Sequence, residues 1–252
     1  MKLFEIMQKI EAEFPTESAY EWDNVGLLAG EGCSEIKKVM VTLDINRRVI
    51  DEAAEWGADL IISHHPILFS PINKINDQTE TGRMLLKAIR NGINIYAAHT
   101  NCDVGKNGIN AYLAELFELL DAQPLEETGL GRIGNLKKEM CFSEFAELVR
   151  DKLQTPRVRV SGDCTRMVRR IAIGSGACAD SIPTAISKGA DVMLTADMKY
   201  HNMIDYTEAG INIIDAGHYP TERCAAAIFA EILADCPIEI KEANTEDIFK
   251  YI

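Results

Sequence analysis

Long apolar runs, C-x-x-C pairs and an excess of basic residues are all absent from this 252-residue sequence. No stretch of 18 or more apolar residues occurs, so we expect no membrane-spanning helix. Residues 1–14 carry charges at helical spacing and lack the apolar core and cleavage site of a signal peptide. These absences favour a soluble cytoplasmic protein.

The seven cysteines are an odd number, which argues against a disulfide framework or a structural zinc knuckle. We interpret them as reduced thiols packed as small apolar side chains. Basic residues are outnumbered by acidic ones, 26 to 39, which gives a net charge of −13. Nucleic-acid-binding proteins usually show a basic excess, so nucleic acid is a disfavoured partner. Bound metal ions can supply the local positive charge that an anionic substrate needs.

What the sequence does contain is an alternation of apolar strands and amphipathic helices, with 47% hydrophobic residues overall. This pattern predicts an α/β fold, with parallel or mixed sheets flanked by helices. Residues 121–138 carry proline and several glycines and show weak periodicity, so we place a boundary there. We therefore expect a first lobe over 1–125, completed by the C-terminal segment, and a second lobe over 126–252.

Polar residues with metal-binding chemistry follow several of the predicted strands. His64 and His65 follow DLIIS, HTNCD (99–103) follows INIYAA, Asp197 follows DVMLTA, and His218 follows INIIDAG. Ligands bind at the carboxyl ends of strands in open α/β sheets. Adjacent imidazoles diverge at a strand exit and would serve two metals; the alternative is one core and one surface histidine.

Two carboxylates stand beside these histidines. Asp103 lies four residues past His99, where it either ligates a divalent ion or forms an ordinary turn. Glu222, in GHYPTE, is expected in the first turn of a helix that begins at Pro220, with His218 just before it. The alternative is that Glu222 is only an acidic residue at the start of a helix. Together, three histidines and two carboxylates are the ligand set of a dinuclear site.

These residues occur in motifs that resemble the NIF-three-like family, whose members are often described as GTP cyclohydrolase type 2 homologues. The similarity runs from residue 1 to the end of the chain. Its motifs are WDNVGLL (22–28), SHHP (63–66), HTNCD (99–103), IGSG (173–176), TADMKYH (195–201) and DAGHYPTE (215–222).

The resemblance implies two α/β lobes, a dinuclear metal centre in the cleft between them, and a homohexameric ring. It assigns the ligands, with Glu222 as the bridge. One metal takes His64, Asp103 and Glu222, and the other takes His65, His218 and Glu222. His99 and His201 match further positions near the site and are candidates for moving protons. Ala196 and Cys102 depart from the family pattern without touching the ligands.

Three functions are compatible with this site. The first is a hydrolase of a phosphorylated or nucleotide-like small molecule that uses two divalent ions, each Zn, Mn, Fe, Co or Ni. GTP ring opening is one version that the resemblance implies, although no guanine-reading motif or phosphate loop is present. The second is a non-catalytic metal-binding scaffold or regulatory interaction protein. The third, a nucleic-acid-binding ring, conflicts with the net charge.

Overall fold

The computed structural model describes residues 1–252. The helices are numbered here in chain order: α1 Leu3–Glu13, α2 Arg47–Trp56, α3 Glu80–Arg90, α4 Thr100–Val104, α5 Ile109–Leu116, α6 Phe142–Lys152, α7 Ile182–Ser187, α8 Tyr200–Glu208, α9 His218–Glu222 and α10 Cys224–Ile232. The strands are β1 Gly26–Ala29, β2 Lys38–Thr42, β3 Leu60–Ser63, β4 Asn94–Ala97, β5 Leu120–Pro124, β6 Arg132–Cys141, β7 Arg159–Ser161, β8 Met167–Ile173, β9 Val192–Thr195, β10 Asn212–Asp215 and β11 Glu239–Glu242. None of the helices is long and apolar enough to span a membrane.

The chain forms two compact units, and each contains a mixed sheet with helices, which confirms the predicted α/β class. The first unit comprises residues 1–102 and 223–246, and the second comprises 103–222 and 247–252. The chain therefore leaves the first unit inside α4 and re-enters it directly after α9.

The sheet of the first unit has the strand order β1-β4-β3-β2-β11. Its four strands β2, β3, β4 and β11 run parallel, and β1 pairs antiparallel with β4. β3 and β4 are buried at every position, as expected for parallel strands covered on both faces. Asn46 caps the start of α2, since its side chain accepts from the Val49 amide, and the left-handed Gly57 follows its end.

The sheet of the second unit has the order β5-β6-β8-β9-β10-β7. β8, β9 and β10 are parallel neighbours, whereas the outer pairings are antiparallel. The apolar residues Ile133, Ala172, Met193 and Ile213 from its central strands form a core with Ile182 of α7. The strand ends of β8, β9 and β10 are the positions that matter for the site.

The glycine-rich segment 121–138 is not a linker, because it contains most of β5 and β6. A Cβ at Gly131 would stand 2.8 Å from the Ile173 carbonyl oxygen, and one at Gly134 would stand 2.9 Å from that of Leu120. These glycines therefore permit close strand packing rather than chain flexibility. The chain instead divides at residues 102/103 and 222/223, since α5 packs on β6 and β8 within the second unit.

Two local predictions also need correction. Asp103 lies inside a short helix, α4, which begins at Thr100, rather than in an ordinary turn. The helix predicted from Pro220 is two helices, α9 and α10. His218 begins α9 and Glu222 ends it, so the two residues lie one turn apart on the same short helix.

Candidate metal centre

The first unit holds three histidines together at the carboxyl ends of β3 and β4. His64 and His65 continue the line of β3, and their amides donate to the Thr42 and Leu43 carbonyls at 3.1 and 2.9 Å. Their ring centroids lie 5.0 Å apart, and the His99 ring lies 5.1 and 5.4 Å from them. One ring nitrogen from each histidine falls within a group whose atoms are all within 4.8 Å of one another.

Each of these histidines uses Nδ1 for a hydrogen bond to an oxygen. The partner is the Ala98 carbonyl for His64, at 2.9 Å, and a carboxylate for the other two. His65 Nδ1 lies 2.7 Å from Asp44, and His99 Nδ1 lies 2.9 Å from Asp23. Since these oxygens only accept, Nδ1 carries the proton, and Nε2 of a neutral ring keeps the lone pair. This arrangement orients imidazoles as metal ligands.

Asp23 is the most strongly held of these carboxylates. Its side chain is fully buried, and it accepts from His99 Nδ1, from the Thr100 amide at 3.0 Å and from the Thr100 hydroxyl at 2.6 Å. Burial alone would raise the pKa of Asp23, but the hydrogen bonds from His99 and Thr100 outweigh it. The net result is a pKa well below the ordinary value of 3.8. Asp23 is therefore an anion that fixes the orientation of His99.

The second unit gathers carboxylates. Asp103 in α4 and Glu222 in α9 are both buried, and they present carboxylate oxygens within 4.8 Å of each other. The Asn110 side chain donates to the Asp103 carbonyl at 3.1 Å and accepts from the Ser175 amide at 2.9 Å. The Ser175 hydroxyl approaches the Asp103 carboxylate at 3.4 Å. Buried, adjacent carboxylates repel unless a cation lies with them.

Gly176, in the turn after β8, is required by the approach of Glu222. Its φ is +55°, and a Cβ there would lie 2.0 Å from the Glu222 Oε1 atom and 3.2 Å from His218 Nε2. Its amide donates to the Thr221 hydroxyl at 3.1 Å, and its carbonyl accepts from the Ala196 amide at 2.8 Å. The glycine thus leaves the space that the Glu222 carboxylate and the His218 ring occupy.

His218 stands between two carboxylates. Its Nδ1 lies 2.7 Å from Asp197 and its Nε2 lies 2.9 Å from Glu222. Asp197 reaches this position from a left-handed backbone, with a φ of +55°. A neutral imidazole donates only one proton, so this contact pattern calls for a positive charge, either a second proton on the ring or a metal ion held by Nε2 and Glu222.

The donor set fits a divalent metal ion. It combines imidazole nitrogens with carboxylate oxygens, the mixture that first-row divalent metals accept, and a hydrogen-bond acceptor stands behind each imidazole described above. The protein therefore contains groups of His, Asp and Glu side chains that could hold a metal ion.

The sequence-predicted residues separate by unit. The first unit brings His64, His65 and His99 together, and the second brings Asp103, His218 and Glu222 together. His201 lies exposed on α8, where its ring contacts the neighbouring Tyr200 ring at 5.5 Å. Sequence reasoning missed the roles of Asp23, Asp44 and Gly176; for Asp23 and Gly176 the only signal was their place in the WDN and IGSG motifs.

Fold and site together define a class: an α/β protein of two units whose strand ends carry histidine and carboxylate groups suited to metal binding. Comparison with known proteins identifies the family. A model of the Duf34/NIF3 (NGG1p interacting factor 3) family matches residues 1–247, and the chain belongs to this family.

Individual relatives agree with this assignment. A Clostridium perfringens protein named GTP cyclohydrolase 1 type 2 homolog is 39% identical over 228 residues, covering 88% of this chain and 87% of its own. The crystal structure of a Bacillus cereus protein related to NIF3 superposes with a TM-score of 0.93 at 26% identity, covering 100% and 99% of the two chains. Reduced HcgD from Methanocaldococcus jannaschii superposes with a TM-score of 0.85 at 35% identity, covering 97% and 98%.

Proposed function

We propose that this protein holds two divalent metal ions and uses them to hydrolyse a phosphorylated or nucleotide-like small molecule. His64, Asp103 and Glu222 would hold one ion, and His65, His218 and Glu222 would hold the other, so Glu222 would be shared. The observation that carries the proposal is shared by the three histidine ligands. Each has Nδ1 committed to an oxygen acceptor, so each presents Nε2 for coordination.

The charge of this ligand set suits an anionic substrate. Two divalent ions bring +4, while Asp103 and Glu222 bring −2, so the site keeps a formal charge of +2. Divalent ions bound there would polarise a phosphoryl or carbonyl oxygen and lower the pKa of a water molecule. Three protein ligands per ion would leave coordination positions open, which is typical of catalytic rather than structural sites. The name of the Clostridium perfringens relative supports a nucleotide as one substrate.

His99 is the residue that we propose to move protons. Its Nδ1 proton is held by the anionic Asp23, so its Nε2 can accept a proton from the attacking water and return it to the leaving group. The ring lies within 5.4 Å of the His64 and His65 rings, which places it beside two proposed ligands of the same unit. His201 is the second candidate from the sequence, and its exposure on α8 makes it the weaker one.

The remaining properties follow the family resemblance as proposals. They are a metal identity among Zn, Mn, Fe, Co and Ni, a homohexameric assembly and a cytoplasmic location. Mixed imidazole and carboxylate ligands accept all five metals, so cellular availability decides among them.

The test combines metal content with turnover in the same preparations. We expect about two metal ions per chain in the wild type by elemental analysis, and a sharp loss in Glu222→Ala, since both ions share that ligand. Glu208→Ala, which removes an exposed carboxylate at the end of α8, is the matched control and should keep the wild-type content. No metal in the wild type after reconstitution would refute the site.

Turnover then separates catalysis from a scaffold role. Metal-loaded wild type is screened against phosphomonoesters, phosphodiesters and nucleoside triphosphates, and His99→Gln should keep both metals while losing about 100-fold in rate. A metal-dependent activity that survives unchanged in His99→Gln would remove the proton-transfer role. Full metal loading with no turnover of any of these substrates would favour the metal-binding scaffold.

A further inference from the structure

Beside the histidine group, the first unit exposes an aromatic cluster, which we define as Tyr20, Trp22 and Phe69. Trp22 is 60% exposed and Phe69 is 57% exposed, the two largest values among the aromatic residues of this unit. Their ring centroids lie 5.8 Å apart, and each lies 6.0 Å from the His99 ring, roughly edge-on to it. Tyr20 stacks against Trp22 at 6.0 Å.

The residues on either side of Trp22 are held by hydrogen bonds, although Trp22 itself is exposed. The Tyr20 amide donates to the Thr100 hydroxyl at 3.0 Å, and the Asp23 amide closes a turn on the Tyr20 carbonyl at 2.9 Å. The Asp23 side chain is anchored by His99 and Thr100, as described above. An exposed tryptophan on such a turn loses little conformational freedom when it binds something.

The Phe69 segment is tied to the same turn. The Asn24 side chain donates to the Leu68 carbonyl at 2.6 Å, and Leu68 itself packs against the core of the first unit. The hydrogen bond therefore joins the two chain segments that carry the exposed rings. The cluster is a preformed aromatic surface rather than two independent side chains.

The contacts of this surface point to a flat ligand. Tyr20 already stacks with Trp22 at an interplanar angle of 21°, and the Phe69 ring is tilted by 49° from Trp22. Exposed aromatic rings favour another aromatic ring as a partner, in offset-stacked geometry. His99 contacts the Trp22 and Phe69 rings and both neighbouring histidines, so it links this surface to the proposed ligands of the first unit.

We propose that Trp22 and Phe69 bind the planar aromatic or heteroaromatic ring of the substrate, while its anionic group binds the metal ions. This inference rests on the proposed function and names its substrate class: a planar ring that carries a phosphate or similar anion. Stacking of a base on an aromatic side chain tolerates many ring types. Ring binding and anion binding are contributed by separate groups and can be measured separately.

The experiment compares three probes on metal-loaded protein by calorimetry: AMP, which has ring and phosphate, ribose 5-phosphate, which has no ring, and adenosine, which has no phosphate. We expect wild type to bind AMP about 10-fold or more tighter than ribose 5-phosphate. Trp22→Ala and Phe69→Ala should each reduce this ratio several-fold, with unchanged metal content and unchanged affinity for ribose 5-phosphate. Phe4→Ala, which removes an exposed ring of α1, is the control and should keep the ratio.

The outcomes distinguish the two proposals. Equal affinities for AMP and ribose 5-phosphate in wild type, or an unchanged ratio in Trp22→Ala and Phe69→Ala, would overturn the ring-binding inference and leave the metal proposal standing. A third result would separate the proposals the other way: adenosine binding depends on Trp22, AMP binds no tighter than adenosine, and removal of the metal does not change AMP binding. It would support ring binding and count against the binding of the anion by metal ions. A change of oligomeric state in Trp22→Ala, by sedimentation and without a change of the ratio, would assign the surface to a second copy of the chain.

Discussion

The two units build their parts of the site by different means. The first unit presents imidazoles from the ends of regular parallel strands, each with an oxygen acceptor behind Nδ1. The second presents Asp103 and Glu222 from short helices, with unusual backbone next to them. All four non-glycine residues with a positive φ lie in this unit, and one of them, Asp197, contacts His218. Regular strand ends are enough to orient the histidine rings of the first unit. The carboxylates of the second unit come together beside the glycine turn at Gly176 and the left-handed Asp197.

Replacement of Gly176 should have the largest effect, because it should disrupt the second unit's part of the site. In Gly176→Ala the Cβ would meet the Glu222 carboxylate at 2.0 Å on a backbone that disfavours side chains. We expect a loss of about 3 kcal/mol in the free energy of unfolding, from overpacking and backbone strain together, and loss of bound metal. Urea unfolding and elemental analysis measure the two effects.

Gly189→Ala is the matched control for this change. Its φ is +72°, but no atom lies within 4 Å of the position that the Cβ would take. It should cost only about 1 kcal/mol and leave metal content unchanged. Equal effects of the two substitutions would mean that backbone strain, and not the approach of Glu222, explains Gly176.

The carboxylates behind the histidines offer a comparison across the units. Asp44 holds His65 in the first unit and Asp197 holds His218 in the second, both at 2.7 Å. Asp44→Asn and Asp197→Asn should each lower metal affinity about 10- to 100-fold, because each leaves an imidazole less basic and less well oriented. Competition with a chromophoric chelator measures the affinity, and Asp180→Asn, at an exposed position, should not change it. A loss in only one of the two variants would show that the other unit's ligand does not bind metal.

The smallest expected effect is a change in the free energy of unfolding that comes from backbone conformation alone. Gln154 follows α6 with a φ of +52°, whereas Gln8 lies exposed inside α1. Gln154→Gly should stabilise the protein by about 0.5 kcal/mol, because glycine adopts a left-handed helix end without strain. Gln8→Gly should destabilise it by about 1 kcal/mol. Thermal unfolding of both variants checks the opposite signs, and a destabilised Gln154→Gly would mean that its side-chain contacts outweigh the strain.

The sequence predicts the strand-end positions well because their signal is local. Apolar runs such as LIIS stop at polar residues, and this alone indicates where His64 and His218 lie. Local sequence patterns fail for the segment 121–138, whose glycines suggest a linker although Gly131 and Gly134 allow close contact with neighbouring backbone. Close approach of two backbones depends on two segments that are distant in the sequence, so neither segment alone predicts it.

The partners of the histidines escape prediction for the same reason. Asp23 is 76 residues from His99, and Asp44 is 21 residues from His65. Their types are ordinary for turns, and only the folded sheet brings them to an imidazole. The position of Glu222 also differs from the prediction, because Pro220 lies inside the separate short helix α9 and does not begin a helix.

The first unit is formed by two separate stretches of the chain, and this affects its folding during synthesis. Strand β11 closes the sheet beside β2, yet roughly 200 residues separate the two strands along the sequence. At a synthesis rate of about 5–20 residues per second, one edge of β2 stays open on the ribosome for roughly 10–40 seconds. That edge belongs to the apolar strand KVMVT, a template for unwanted pairing with other chains. Nascent chains are therefore most exposed to aggregation, and most dependent on chaperones, during the time in which the second unit is being synthesised.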